Sequence, residues 1–343
     1  MPLIKSDDLR TLVARALTHA GATNAAAAST ARALVAADEQ GIATHGASRT
    51  SHYVGHLRNA RVIGDAVPRI AHERGGACLI DAGNGLAYPA CEMAVTELIK
   101  RAKQFGVAYV GITNSNHNGM TSFHLEPLAE AGLVALAFGN SPAAMNAWGG
   151  KRPIFGTNPI AAAFPRLRKP AAAFPRRNLW PVIVDLALTE VAKGKLMMAA
   201  RDNKPIPLGW ALDRAGNPTT DANEGIHGSL TPAGGAKGAM LALMIELLAV
   251  ALTGAAFGFE MDSFFSATGN TARLGQGFLA IDPGALAGSE IYGDRVEALV
   301  AAMLADDGVR LPGYRRFENR EKAQRDGIDL PDAIIVELTA LAA

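Results

Sequence analysis

From Ala77 to Ile112 the chain reads as a strand (ACLID), a glycine-bearing turn at Gly83–Gly85, a helix near Tyr88–Gln104 and a second strand (VAYVGI). Such a β–turn–α–β unit holds its two strands parallel and sets the turn at the carboxyl end of the first, where α/β proteins bind ligands. A standard dinucleotide site is excluded there. DAGNGLAY places Tyr88 where G-x-G-x-x-G needs Gly or Ala, and VAYVGITN ends without the acidic residue that would hold a ribose. The unit therefore predicts an α/β protein lacking a Rossmann motif.

The flanking segments extend this pattern. Residues 7–38 read as two helices, with Asp7 and Asn24 as N-caps whose side-chain oxygens can accept from first-turn amides. A helix around 123–131 precedes a strand at Leu133–Phe138 and a glycine- and proline-rich passage from Gly139 to Pro159. Strands are expected at 160–164, 181–185 and Phe278–Ile281, and helices at Lys237–Leu252 and 293–304. AAAFPR occurs at 161–166 and again at 171–176. A repeat this short is no solenoid unit, and a tandem duplication lengthening one hairpin accounts for it. It gathers Arg166, Arg168, Lys169, Arg176 and Arg177 into one basic loop, expected to face water or to meet an anion such as a cofactor phosphate.

Composition narrows the function. The 343 residues suffice for two units or one large one, and 33 Lys+Arg against 32 Asp+Glu leave no basic excess for nucleic acid. With 49% apolar and 19% charged residues, the chain has ample material for a core. Two cysteines, Cys78 and Cys91, read as reduced thiols, and MPLIKSDDLR has no apolar stretch of a signal peptide. Ala239 to Leu252 is too short for a membrane span and carries Glu246. A cytoplasmic protein with no membrane and no nucleic-acid partner is expected. GGAKGAM lacks P-loop spacing, G-x-S-x-G is absent, and His52 and His56 have neither the Glu of H-E-x-x-H nor a third ligand, so no metal is expected.

Three features suit an anionic, carbonyl-bearing small molecule. Thr44-His45-Gly46 is followed by Ser48 and Arg49; a helix from about Gly46 would put Arg49 on the face of His45. A guanidinium grips a carboxylate by two parallel hydrogen bonds, and a histidine titrating near neutrality can donate a proton to an adjacent C=O or C=N. Ser115-Asn116-His117-Asn118-Gly119 follows a strand at its carboxyl end. Gly-Gly-Ala-Lys-Gly sets free amides and Lys237 at a helix start, which favours phosphate.

The pattern as a whole resembles the type-2 malate/L-lactate dehydrogenase family of NAD(P)H-dependent oxidoreductases. That group also holds sulfolactate, ureidoglycolate and diketogulonate enzymes and the Δ1-piperideine/Δ1-pyrroline-2-carboxylate reductases. The resemblance rests on THGASR (44–49), SNHNG (115–119), GTNPIAAAFP (156–165), VDLALTEVAKGKL (184–196) and GWALDRAGNPTTD (209–221). LTPAGGAKGAMLALMIELLAVALTG (230–254), GQGFLAIDP (275–283) and RLPGYRR (310–316) complete it over nearly the whole chain. It implies a non-Rossmann α/β fold with a largely antiparallel central sheet and a helical N-terminal segment. Implied too are a homodimer and three parts: 1–69 with the T-H-G motif on the substrate side, 70–299 binding NADPH or NADH, and 300–343, helical, packing back on the first.

By the same resemblance His45 is the proton donor, with Thr44 where a Ser commonly assists it, and Asp185 lies near nicotinamide and substrate. Arg49, with Ser48 beside it, holds the substrate carboxylate. Cofactor contacts carry over to His117, Asn118, Gly119, Met120, Thr121 and Thr157, then to Asp185, Leu186, Ala187, Lys193, Gly194 and Lys237. Leu311, Pro312, Gly313, Tyr314, Arg315 and Arg316 complete them. Glu190 stands where the family usually has Ser, and Tyr314 where P-G-E-R has Glu. The implied reaction is hydride transfer between nicotinamide and C2 of a small 2-oxo or 2-hydroxy acid of malate, lactate or sulfolactate type. The alternatives are reduction of a cyclic imine carboxylate and a non-catalytic nucleotide binder.

Overall fold

The computed structural model describes residues 3–167 and 179–343. Seven strands form the main sheet, in the order Arg69–Arg74, Ala77–Asp81, Val107–Ser115, Leu274–Ile281, Val134–Gly139, Ile160–Phe164 and Val182–Leu186. Ala77–Asp81 and Val107–Ser115 run parallel, as the β–turn–α–β unit requires, and the other neighbours are antiparallel. The fold is thus a mixed helix–sheet architecture with a largely antiparallel sheet. A second sheet of five short strands, drawn from residues 145–230, stands beside it.

Apolar spacing explains the packing of the Ala87–Phe105 helix on the sheet. Cys91, Ala94, Leu98 and Ala102 recur every three or four residues, all fully buried, and meet Ile80, Val110, Ile112 and Phe278 from the strands. A second core joins Leu9, Val13 and Leu17 of the Ser6–His19 helix to the alanine-rich Asn24–Glu39 helix and to Leu338 near the C-terminus. Small alanine side chains let neighbouring helices approach closely on several sides. The Leu3–Ile4 strand pairs with Ile328–Asp329, tying the two ends of the chain together.

Several expectations are corrected. Neither Asp7 nor Asn24 is an N-cap: Thr23 caps the second helix by accepting from the Ala26 amide at 3.2 Å, while Asp7 lies in the first turn and pairs with Arg10 at 2.6 Å. The expected helix at 123–131 is a 3-10 turn, Thr121–Leu125, followed by Glu126–Glu130. The helix expected to run unbroken to Leu252 turns into a π-helical segment at Glu246–Ala251. The strand expected from Phe278 begins at Leu274, its glycines hiding the pattern. Arg166 is no solvated loop residue: it forms a two-pronged pair with Glu297 at 2.7 and 2.5 Å and meets Tyr314 Oη. Arg168, Lys169, Arg176, Arg177 and the second AAAFPR copy lie outside the described residues.

Truncating the helix–sheet interface tests this account of the core. Leu98→Ala should lower the unfolding free energy by about 2–5 kcal/mol, read as a lower urea midpoint at unchanged slope.

Candidate active site

The turn carrying His45 is shaped by a carboxylate beneath it. Asp38, buried near the end of the Asn24–Glu39 helix, accepts the Ala47 amide at 2.7 Å. A Cβ on Gly46 would overlap the Asp38 carboxylate, so only glycine lets the chain pass. Two 3-10 turns result, Ala43–His45 and Ala47–Arg49, leading into the Thr50–Arg58 helix, in place of the continuous helix expected from Gly46. Arg49 folds back so that its Nε donates to the Thr44 carbonyl at 2.7 Å. Its guanidinium lies over the Phe265 ring at 5.4 Å. Thr44 Oγ1 lies 3.0 Å from His45 Nδ1.

Segments distant in sequence close the cavity opposite. His117, just past the Val107–Ser115 strand, stacks on His45 with ring centroids 5.6 Å apart. Asp185, on the edge strand, accepts the Ser122 amide at 3.0 Å and faces Arg316 Nη1 at 3.4 Å. Arg316 also donates to Ser122 Oγ at 2.9 Å, so one small cluster fixes both side chains. The space enclosed measures about 280 Å³.

Charge in this space is mostly positive. Among the described residues, Arg49, Arg316 and Lys193 border it against the single carboxylate of Asp185. Burial, reinforced by Arg49 and Arg316 and opposed by Asp185, lowers His45 to about 4. His45 is therefore a neutral imidazole in the resting protein. Burial also lowers Lys193, which has no ion-pair partner among the described residues. Asp38 moves the other way, to about 7, because burial and the neighbouring Glu39 outweigh the Ala47 hydrogen bond.

The cavity gathers most of the residues singled out in the sequence. Thr44, His45 and Arg49 line one wall, and His117, Asn118, Gly119, Met120 and Thr121 the next. Thr157, Asp185, Ala187, Lys193, Gly194 and Arg316 complete it. Others stand elsewhere. Ser48 closes its own turn by donating to the Ala43 carbonyl, and Leu186 and Lys237 are exposed off the cavity. Leu311 is buried away from it, Pro312 and Arg315 are exposed, Gly313 packs on Ile183, and Tyr314 donates to the Trp180 carbonyl. Glu190 is exposed and also outside it. Among the described residues no group of three His, Cys, Asp or Glu could hold a metal; His56 Nε2 meets the Phe264 and Ser266 carbonyls instead.

Sequence reasoning missed Ile42, Asn140, Ser141, Pro142, Phe264 and Phe265, which also line the cavity. Adjacent aromatics in the polar run DSFFSATGN were the available signal for the last two. Arg61 and His56 hold this run by its carbonyls, an arrangement that no local motif announces.

The largely antiparallel sheet is not the parallel sheet of a Rossmann dehydrogenase, and its cavity brings His45 and Arg49 together. The chain belongs to the malate/L-lactate dehydrogenase family, whose profile matches residues 4–339. It is 44% identical over 340 residues to a protein of Chromohalobacter salexigens named (2R)-3-sulfolactate dehydrogenase (NADP(+)), covering 99% of this chain and 98% of that one. A Pseudomonas aeruginosa protein named Delta(1)-pyrroline-2-carboxylate/Delta(1)-piperideine-2-carboxylate reductase is 36% identical, with 98% of each chain covered. The crystal structure of delta1-piperideine-2-carboxylate reductase from Pseudomonas syringae superposes with a TM-score of 0.91 at 34% identity, over 99% of this chain and all of that one.

The buried histidines set a pH signature. His45, His52, His56, His117 and His124 are all lowered by burial, so below about 6.5 the unfolded chain takes up protons that the native protein refuses. Their contribution to stability is present above that pH and is lost as pH falls towards 4. Asp38 acts in the opposite sense, its stabilisation lost as pH rises from its unfolded value towards 7. The urea midpoint should therefore fall on acidification from neutral pH, and fall more steeply in Asp38→Asn. A flat or rising midpoint would contradict this balance.

Proposed function

We propose that this protein is an NAD(P)H-dependent oxidoreductase that reduces the 2-carbonyl of a small 2-oxo acid and oxidises the matching 2-hydroxy acid. The observation that carries the proposal is His45 and Arg49 on one wall of a positively charged cavity, with Asp185 and Lys193 across it. The name of the Chromohalobacter relative supports a 3-sulfolactate type of substrate and NADPH as the nucleotide.

The donor set fits a nicotinamide nucleotide. Among the described residues Lys193 is a half-buried cation lacking an ion-pair partner, and Asn118 Nδ2 is a buried donor with no acceptor. Lys193, Asn118 and Arg316 would hold phosphate and amide oxygens, and the nucleotide when bound supplies a hydride. The remaining work falls to the chain's own residues. With Nε engaged by Thr44, Arg49 keeps its terminal nitrogens for the substrate carboxylate. A carboxylate there offsets the share that Arg49 has in lowering His45, so substrate binding raises the proton affinity of His45. His45 then takes up a proton and gives it to the 2-oxygen as negative charge develops; in reverse, the neutral ring accepts it. Thr44 hydrogen bonds Nδ1, leaving Nε2 to meet the substrate. Asp185 stabilises the imidazolium and fixes Arg316.

A second reading, reduction of a cyclic imine carboxylate, is supported by the Pseudomonas relatives and by the aromatic wall of Phe264 and Phe265, which would pack a ring. Loss of nicotinamide absorbance with pyruvate, oxaloacetate, sulfopyruvate, Δ1-pyrroline- and Δ1-piperideine-2-carboxylate distinguishes ketone from imine. Absence of turnover across that panel, with nucleotide still bound, would leave a non-catalytic binder. His45→Ala should lower kcat by about 100- to 10,000-fold while nucleotide affinity holds; near-normal turnover would remove His45 from its role.

The same proposal includes a homodimer. Met240, Leu241, Met244, Leu247 and Leu252 are 45–66% exposed along one helical stretch, a patch suited to a second copy. A cytoplasmic location accords with two free, buried cysteines. The three-part division at residues 69 and 299 is supported by a helical core that draws on both ends of the chain, joined by Leu86 and Tyr88, and a sheet core drawn from the middle, joined by Phe317. Met244→Glu with Leu247→Glu should convert the particle to a monomer in sedimentation equilibrium.

A further inference from the structure

Behind the cavity wall, three side chains from three segments form a hydrogen-bonded line that the mechanism above leaves unused. Tyr88 Oη, on the Ala87–Phe105 helix, lies 2.9 Å from Tyr53 Oη, on the Thr50–Arg58 helix. Tyr53 Oη lies 2.6 Å from Nδ1 of His117. Both phenols are sealed, with Tyr53 3% and Tyr88 1% exposed. Burial pushes both up, Tyr53 to about 12, so each keeps its proton.

Two O–H groups therefore need two acceptors. Among the described residues Tyr88 Oη has no hydrogen-bond partner except Tyr53, so its proton can point only there. Tyr53 must then donate to the one acceptor left, Nδ1 of His117. The reverse order, Nδ1–H to Tyr53 to Tyr88, would strand the Tyr88 proton in a dry interior. An unmade hydrogen bond of that kind biases the equilibrium by about tenfold or more. His117 is itself neutral, lowered well below the ordinary range by burial, with Arg49 and His45 adding to it. A neutral imidazole that accepts at Nδ1 carries its proton on Nε2.

We propose that the Tyr88–Tyr53 line locks His117 as its Nε2–H tautomer, a fixed hydrogen-bond donor to an oxygen of the substrate held between Arg49 and His45. The inference rests on the 2-oxo acid reading of the site. The His117 ring borders the same cavity as His45 and Arg49 and stacks on His45 at an interplanar angle of 22°, beside the space a substrate held by these two residues would take. His117 transfers no proton: the bond to Nε2 stays intact, and His45 supplies the proton that the product keeps. Tyr53 and Tyr88 are positioning residues acting through His117.

The tautomer is measured on the resting protein, without substrate or nucleotide, by long-range proton–nitrogen correlation of nitrogen-15-labelled histidine at neutral pH. His117→Gln identifies the signal by its loss. An Nε2–H ring with unprotonated Nδ1 is expected, and an Nδ1–H ring would overturn the proposal. Tyr53→Phe should shift the Nδ1 resonance and raise KM for the oxo acid by about tenfold, with NADPH affinity unchanged. His117→Gln, which keeps an N–H donor, should retain a lower KM than His117→Phe. If these variants move NADPH affinity and leave the oxo-acid KM untouched, His117 serves the nucleotide and the donor role falls. A wild-type protein inert towards every oxo acid would overturn the proposed function itself, whereas the tautomer is read independently of turnover.

Discussion

The structure depends on one late strand taking a central place. Leu274–Ile281 inserts between Val107–Ser115 and Val134–Gly139, so the sheet cannot be completed until residues some 140 to 170 positions apart have met. Its glycines make that insertion possible. A Cβ on Gly277 would overlap Tyr109 Oη, and one on Gly275 would overlap the Ala249 carbonyl. The register shifts between Leu274 and Gln276, and the Gln276 side chain donates to the Asn116 carbonyl at 2.9 Å. Through that bond the central strand holds the segment that presents His117.

Electrostatic tension then shapes the site. Among the described residues three cations and two stacked imidazoles share a small space with one carboxylate, and burial, reinforced by the cations, disfavours charge on the histidines. The missing negative charge is what an acidic substrate and a phosphorylated nucleotide would bring. Asp38 shows the same economy below the turn: its carboxylate stays where solvation is poor because the Ala47 amide and the absent side chain of Gly46 leave it room. Stability and function are therefore coupled through groups whose protonation differs between the folded and unfolded chain.

The regular elements were legible because local periodicity encodes them. The parallel pair around the Ala87–Phe105 helix, the strands at 134–139 and 160–164 and the two N-terminal helices all follow from apolar spacing and turn residues. Errors fell where a tertiary contact overrides propensity. Asp38 breaks the helix expected at Gly46, Thr23 takes the cap expected of Asn24, and Glu297 draws Arg166 out of its basic loop. Glu246, held by the side chains of Asn140 and Asn158, sits where the α-helix gives way to a π turn.

The sequence by itself determined the residue types at the site, their order along the chain and the absence of a Rossmann turn, since Tyr88 alone forbids the close contact that the turn needs. It also carried the family, because the matching segments span nearly the whole chain. Only the tertiary structure decided that His45 is neutral, that Ser48 and Lys237 stand outside the cavity, and that Phe264 and Phe265 form its wall. The reason is physical. Desolvation and charge pairing arise from neighbours far away in sequence, and no local pattern records which of them will meet.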